Sequence, residues 1–249
     1  MKKSLQKLLL GPARDVGATN ESARDEWIAA QLKALPKGAR LLDAGAGKRP
    51  YEKHCSHLKY VSQDFGEYDG KGDSTGLQIG DWAKSWDIVC DILRVPEPDE
   101  SFDAVLCTEV LEHLPQPRAA VVELSRLLKP SGKLIVTAPF CSLTHFAPFH
   151  FATGFSRYFY EDVFKEANLR VLELVPNGNY FEFLAQELRR LPSVAGQYSS
   201  GSSTLATKLQ VGALLRTLKR CSSADKGSHE LLCYGYFAVG VKNPRRAAA

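Results

Sequence analysis

Apolar positions along the chain fall into two rhythms. Residues 21–35 (ESARDEWIAAQLKAL) bring Trp27, Ile28, Leu32 and Leu35 to one side at helical spacing. Asn20 or Ser22 is placed to cap that helix, and Pro36 with Gly38 to end it. Short apolar runs follow, predicting strands over 40–43, 59–63, 86–91, 102–107 and 133–138. Between them lie a Gly- and Asp-rich loop at 66–80, a turn at 96–101, and an amphipathic helix at 117–128 stopped by Lys129-Pro130-Ser131-Gly132. Beyond residue 140 the pattern predicts a helix over 160–168, a strand over 170–175, helices over 179–191 and 205–218, and a last strand over 231–241. The helix at 205–218 has Leu205, Leu209, Leu214, Leu215 and Leu218 as its apolar positions, and 197–204 is polar.

Strands alternating with helices predict an α/β fold, a parallel sheet covered on both faces with its sites at the carboxyl ends of the strands. The expected organisation is a single domain over 1–249. It comprises an N-terminal helical extension (1–38), a cofactor-binding core (39–175), a helical insertion (176–230), the last strand (231–242) and a tail (243–249).

Composition narrows the function. Hydrophobic residues make up 44% and charged residues 24%, the balance of a folded protein. The net charge of +4 is carried by scattered basic pairs such as Arg189-Arg190 and Lys219-Arg220, which lack the continuous basic footprint of a nucleic-acid binder. No stretch approaches the ~20 apolar residues of a transmembrane helix, and the apolar run at Leu8-Leu9-Leu10 is shorter than the ~7–15 of a signal peptide. A cytoplasmic location without stable membrane insertion is expected. The six cysteines form no C-x-x-C pair, and Cys90 and Cys107 fall in apolar runs that predict buried free thiols.

The sharpest motif is Asp43-Ala44-Gly45-Ala46-Gly47, directly after a strand. Glycines at 45 and 47 let the backbone turn and approach a ligand closely. A dinucleotide fingerprint would want a third glycine where Pro50 stands. The acid at 43 suits a cationic ligand and would repel a diphosphate. Two further strands close in Asp64 and in Cys90-Asp91-Ile92. The fourth runs into Cys107-Thr108-Glu109-Val110-Leu111-Glu112-His113-Leu114.

In these motifs, their order and their spacing, residues 39–175 resemble the class I S-adenosylmethionine-dependent methyltransferases of the small-molecule type. The resemblance implies a Rossmann-like seven-stranded, mostly parallel sheet with helices on both faces. It implies S-adenosyl-L-methionine as cofactor, held by Asp43, Ala44, Gly45, Gly47, Asp64, Asp91, Ile92, Thr108 and Glu109. Asp64 would accept the ribose hydroxyls, while Asp91 would meet the adenine amino group with Ile92 against the ring. The acceptor is expected to be a small molecule methylated at oxygen. The alternatives are a cofactor-binding protein without turnover and an NAD(P)-dependent oxidoreductase.

Methyl transfer requires in-line positioning and removal of a proton from a protonated nucleophile. His113 and His150 are the candidate bases, since an ordinary imidazole titrates near ~6.5. Glu109, Glu112 and His113 also lie at a spacing that could hold a divalent metal, with His145 or His150 as a further ligand. A metal-free site is the expectation. The aromatic segment 140–160 follows the fifth strand, where walls of an acceptor pocket belong.

Overall fold

The computed structural model describes residues 15–78, 80, 85–200 and 204–244. The N-terminal leucine run and the last five residues of the expected tail lie outside them. Helix α1 (Asn20–Lys33) leads into β1 (Arg40–Ala44), β2 (Lys59–Asp64), β3 (Ile88–Val89) and β4 (Phe102–Thr108). Then come α2 (Pro117–Leu127), β5 (Leu128–Pro139), α3 (Arg157–Glu166), β6 (Leu169–Asn177), α4 (Tyr180–Tyr198), α5 (Leu205–Ser223) and β7 (Gly235–Lys242). The seven strands form one sheet in the order β3-β2-β1-β4-β5-β7-β6. Strands β1 to β5 pair in parallel, and β7 lies antiparallel to β5 with Lys133 opposite Val241 and Pro139 opposite Gly235.

The described residues divide into two compact units, one within residues 24–175 and 235–244, the other within residues 15–23 and 176–234. In the first, Leu41, Ala104, Leu106 and Ile135 pack with Ile28 and Leu32 of α1. Each fully buried leucine or isoleucine among them contributes about 1.5–3 kcal/mol. Trp27 stacks on Phe237 of β7, ring centroids 5.0 Å apart, while Gly240 of the same strand faces the Phe164 ring of α3. Positions 237 and 240 point to opposite faces of a strand, so helices cover both sides of the sheet.

In the second unit, Val16, Ala185, Leu215 and Leu218 form a small core. Glu182 is its polar hub, accepting from the Gly17 N–H (2.7 Å), the Ser222 hydroxyl (2.9 Å) and the Tyr234 hydroxyl (3.1 Å). Asn179 caps α4 by accepting from the N–H groups of Phe181 and Glu182.

Several elements differ from expectation for local reasons. Strand β3 keeps two residues of the predicted six. Asp87 accepts the N–H and hydroxyl of Ser62 through its side chain (2.8 and 2.7 Å), which takes a donor from the ladder. Strand β5 begins at Leu128 and absorbs the predicted 129–132 stop, with a register shift between Phe102 and Ala104 and Ser131 at φ +65°. Strand β7 starts at Gly235 rather than 231, because its partner strand ends at Pro139.

Helix α3 starts earlier than predicted and ends before Asn168, which turns to φ +56°. Helix α4 continues through Pro192 to Tyr198. Asn20 lies inside the first turn of α1 instead of capping it, exchanging hydrogen bonds with Asn177 and Gln186. On α5, Leu209 and Leu214 are exposed. Cys90 is half-buried, not buried like Cys107, and all six cysteines are free.

Candidate functional site

The carboxyl ends of β1, β2, β3 and β4 surround a cavity of about 540 Å³. It opens where strand order reverses between β1 and β4, the usual position for a ligand in such a sheet. Its floor is the turn after β1. Gly45 sits at φ +71°, and a Cβ there would lie 2.5 Å from the Val110 side chain. Only glycine lets the two loops meet this closely. The Gly45 N–H donates to Gln63 Oε1 (3.2 Å), the Gln63 amide donates to the Cys90 carbonyl (2.7 Å), and Trp86 Nε1 donates to the Gly47 carbonyl (2.9 Å). Loops from three strands are thereby fixed to one another.

Gly45, Asp64, Asp91, Ile92, Glu109 and His113 line the cavity together. Asp64 is buried, and accepts from the N–H groups of Gly47 (2.9 Å) and Gly66 (3.0 Å). A carboxylate offers about four lone-pair positions, so acceptor capacity remains for a ligand. Burial raises its pKa. Asp91 is exposed on the wall, and its Oδ1 accepts the Leu93 N–H (2.9 Å).

Asp43, Ala44, Gly47 and Thr108 do not form part of the cavity lining. Asp43 lies behind it, 2% exposed, accepting the Tyr60 hydroxyl at 2.6 Å. Burial pushes its carboxyl up to about 7, against the lowering effect of that hydrogen bond. Glu109 is spoken for. One oxygen pairs with Arg24 at 2.9 Å and the other accepts the Thr137 hydroxyl at 2.8 Å.

The histidines form a group of their own. His113, His145 and His150 offer ring nitrogens all within 4.8 Å of one another. His113 Nδ1 donates to the Phe149 carbonyl (2.5 Å) and His145 Nδ1 to the Leu143 carbonyl (2.8 Å). A carbonyl only accepts, so each Nε2 keeps its lone pair. Glu112 Oε1 stands 3.7 Å from His113 Nε2 and 3.8 Å from His145 Nε2. Burial, with His145 and His150 beside it, pushes His113 down to about 3, against the raising effect of the Phe149 carbonyl. Burial and His145 also lower His150. His113 thus titrates well below the ordinary imidazole range, and His150 does not line the cavity.

Sequence reasoning did not single out Gln63, Tyr68 or Val110 of the remaining wall, which also holds, from the segment 140–160 expected there, Phe146, Phe149 and Phe151. The aromatic density of 140–160 was the available signal for the last three. Loop 66–78 holds that segment, since the Leu77 N–H donates to the Thr144 carbonyl (3.0 Å) and the Phe146 N–H to the Leu77 carbonyl (3.0 Å). Tyr68 stacks on Phe146 with centroids 4.9 Å apart.

Known proteins bear on this geometry. Residues 72–136 match the family model described as a methyltransferase domain. A ubiquinone biosynthesis O-methyltransferase of Xanthomonas axonopodis pv. citri (strain 306) is 34% identical over 134 residues, covering 51% of this chain and 53% of the relative. The chain thus spans about half the length of that curated relative. Among solved structures, the cyclase SpnF superposes with a TM-score of 0.52 at 18% identity, covering 88% of this chain and 80% of that one. Phosphoethanolamine N-methyltransferase 2 of Haemonchus contortus, in complex with S-adenosyl-L-methionine, does so with a TM-score of 0.51 at 15% identity, covering 89% and 53%. At these identities the structures speak for the fold, which hosts more than one chemistry. The sequence match is to a methyltransferase domain over residues 72–136, and the sheet is that of a Rossmann-like α/β fold.

Proposed function

We propose that this chain transfers the methyl group of S-adenosyl-L-methionine to an oxygen atom of a small-molecule acceptor. The observation that carries the reading is that Asp64, Asp91 and Ile92 line one cavity together with Phe146 and Phe149. A nucleoside needs an acceptor for its ribose diol, an acceptor for its exocyclic amine and an apolar surface for its base. Asp64, Asp91 and Ile92 supply these in that order. Gly45 admits the donor's backbone contacts, with Ala44 and Gly47 shaping the turn, and Thr108 and Glu109 flank the methionine end. Asp43, behind the turn, adds negative potential once it ionises above about pH 7. The aromatic wall suits a flat acceptor, in keeping with the name of the Xanthomonas relative.

The donor supplies an electrophilic methyl on a sulfonium. The chain's part is to hold an acceptor oxygen in line with it and to exclude water. His113, which lines the cavity, and the neighbouring His150 stand at the acceptor end of the proposal as positioning groups. The proposed setting is cytoplasmic, with no nucleic-acid partner. Among the described residues, no helix is long and apolar enough to cross a membrane.

Titration calorimetry with S-adenosylhomocysteine tests the assignment. Asp64→Ala is expected to weaken binding by about 1.5–3 kcal/mol, as for hydrogen bonds to charged groups. An unchanged dissociation constant in a variant that melts like the parent would refute the ribose role. Transfer of labelled methyl to a panel of phenols and catechols tests the acceptor class.

A further inference from the structure

We propose that Glu112, His113, His145 and His150 form a divalent metal site of the zinc type, which fastens the segment after β5 to the loop after β4. Glu112 and His113 come from the short 3-10 turn Leu111–His113 behind β4, while His145 and His150 come from the aromatic segment 140–160. Three imidazoles within 4.8 Å of one another would be an unusual way to fill a protein interior without a shared occupant. Both oxygens of Glu112, His113 Nε2 and both ring nitrogens of His150 are buried with no hydrogen-bond partner among the described residues. Leaving buried polar groups unsatisfied is costly, and charged ones more so. A cation at their centre would satisfy the three groups together.

The ligand chemistry is already arranged. Glu112 is 0% exposed, and a carboxylate buried that deeply needs a counter-cation to stay ionised. Arg24 does not serve it directly, being paired with Glu109. His113 and His145 each donate Nδ1–H to a backbone carbonyl, the outer-shell contact that fixes a ligating imidazole with its Nε2 lone pair free. Zn–N bonds of about 2.0–2.1 Å place tetrahedral ligands closer together than 4.8 Å, so the three imidazoles must draw in by about 1 Å to share an ion. Three imidazoles with one carboxylate favour a borderline ion such as Zn²⁺, Co²⁺ or Fe²⁺ over Mg²⁺ or Ca²⁺, which demand mainly oxygen. This set differs from the grouping suggested by sequence spacing, because Arg24 and Thr137 occupy Glu109.

The consequence is structural as well as chemical. Phe146, Phe149 and Phe151 of the cavity wall lie between or beside the two histidines of the segment. Their attachment rests on loop contacts and on the Phe151 N–H donating to the Glu112 carbonyl at 2.9 Å. A metal would add a strong cross-link at that point.

The test uses the full chain, stripped with a chelator and dialysed, then titrated separately with Zn²⁺, Co²⁺ and Mg²⁺. The expected result is one Zn²⁺ or Co²⁺ per folded chain, with Mg²⁺ failing to compete. The visible absorption of the Co²⁺ form should report nitrogen and oxygen ligands, and amide exchange over 143–151 should slow on loading. His145→Ala and Glu112→Gln should each lower Zn²⁺ affinity by more than the ~10–100-fold that outer-shell changes cost. Because Glu112→Gln is a buried change, His145→Ala, at a partly exposed position, guards against a result caused by unfolding. Failure of the folded parent to retain Zn²⁺ or Co²⁺, or equal affinity in parent and His145→Ala, would overturn the proposal. Metal binding is read without cofactor or acceptor, so loss of the methyl-donor reading would leave this result standing.

Discussion

Asp43→Asn isolates the electrostatics behind the glycine turn. The Asp43 carboxyl is 2% exposed, and its folded pKa of about 7 lies well above the ordinary 3.8 because burial disfavours its charged form. Between those values the folded chain holds a proton that the unfolded chain has released. The stability associated with that proton is complete below about pH 4 and is lost as pH rises through about 7. A rise from 3.8 to about 7 corresponds to about 4 kcal/mol. Asn retains an oxygen for the Tyr60 hydroxyl, which now donates at 2.6 Å, and cannot ionise. Urea unfolding of both proteins between pH 4 and 8, without ligand, should show a stability difference that grows in favour of the variant, on the order of 4 kcal/mol over the range. Asp64, also raised by burial, repels the Asp43 carboxylate, so part of the difference reflects that coupling. Parallel stability profiles would show that Asp43 carries no such penalty. S-adenosylhomocysteine affinity, measured on the same pair, reports separately whether the negative charge is needed for the ligand.

Other perturbations test neighbouring contacts. Gly45→Ala should destabilise the turn by about 1–3 kcal/mol through its positive φ and the Val110 clash, and should weaken cofactor binding. Adding Val110→Ala should recover the steric part only, and full recovery by thermal melting would contradict the backbone argument. Arg24→Leu leaves Glu109 with Thr137 as its remaining side-chain partner and should cost about 1–3 kcal/mol, visible as a lower urea midpoint with unchanged slope. Cys90 lines the cavity with its thiol pKa raised by burial, so its alkylation should accelerate with rising pH and slow when S-adenosylhomocysteine is bound. Ligand-independent labelling of Cys90, read by mass spectrometry against Cys141, would place the cofactor elsewhere.

The sequence by itself determined the alternation of strand and helix, the position of the glycine turn, and the acids at the strand ends. These are local properties: period-2 and period-3.6 burial, and a backbone that only glycine tolerates at Gly45. The two-residue β3 was not legible, because its length depends on an Asp87–Ser62 contact between separate strands. Nor could spacing show that Asp43 turns to Tyr60 behind the cavity, or that Glu109 pairs with Arg24 of the distant helix α1. His113 reads from sequence as an ordinary imidazole, yet tertiary packing buries it beside two others and drives its pKa to about 3. Sequence assigns residue types to strand ends. Only the folded sheet decides which groups are desolvated together, and desolvation, acting through space between distant segments, sets their charge and chemistry.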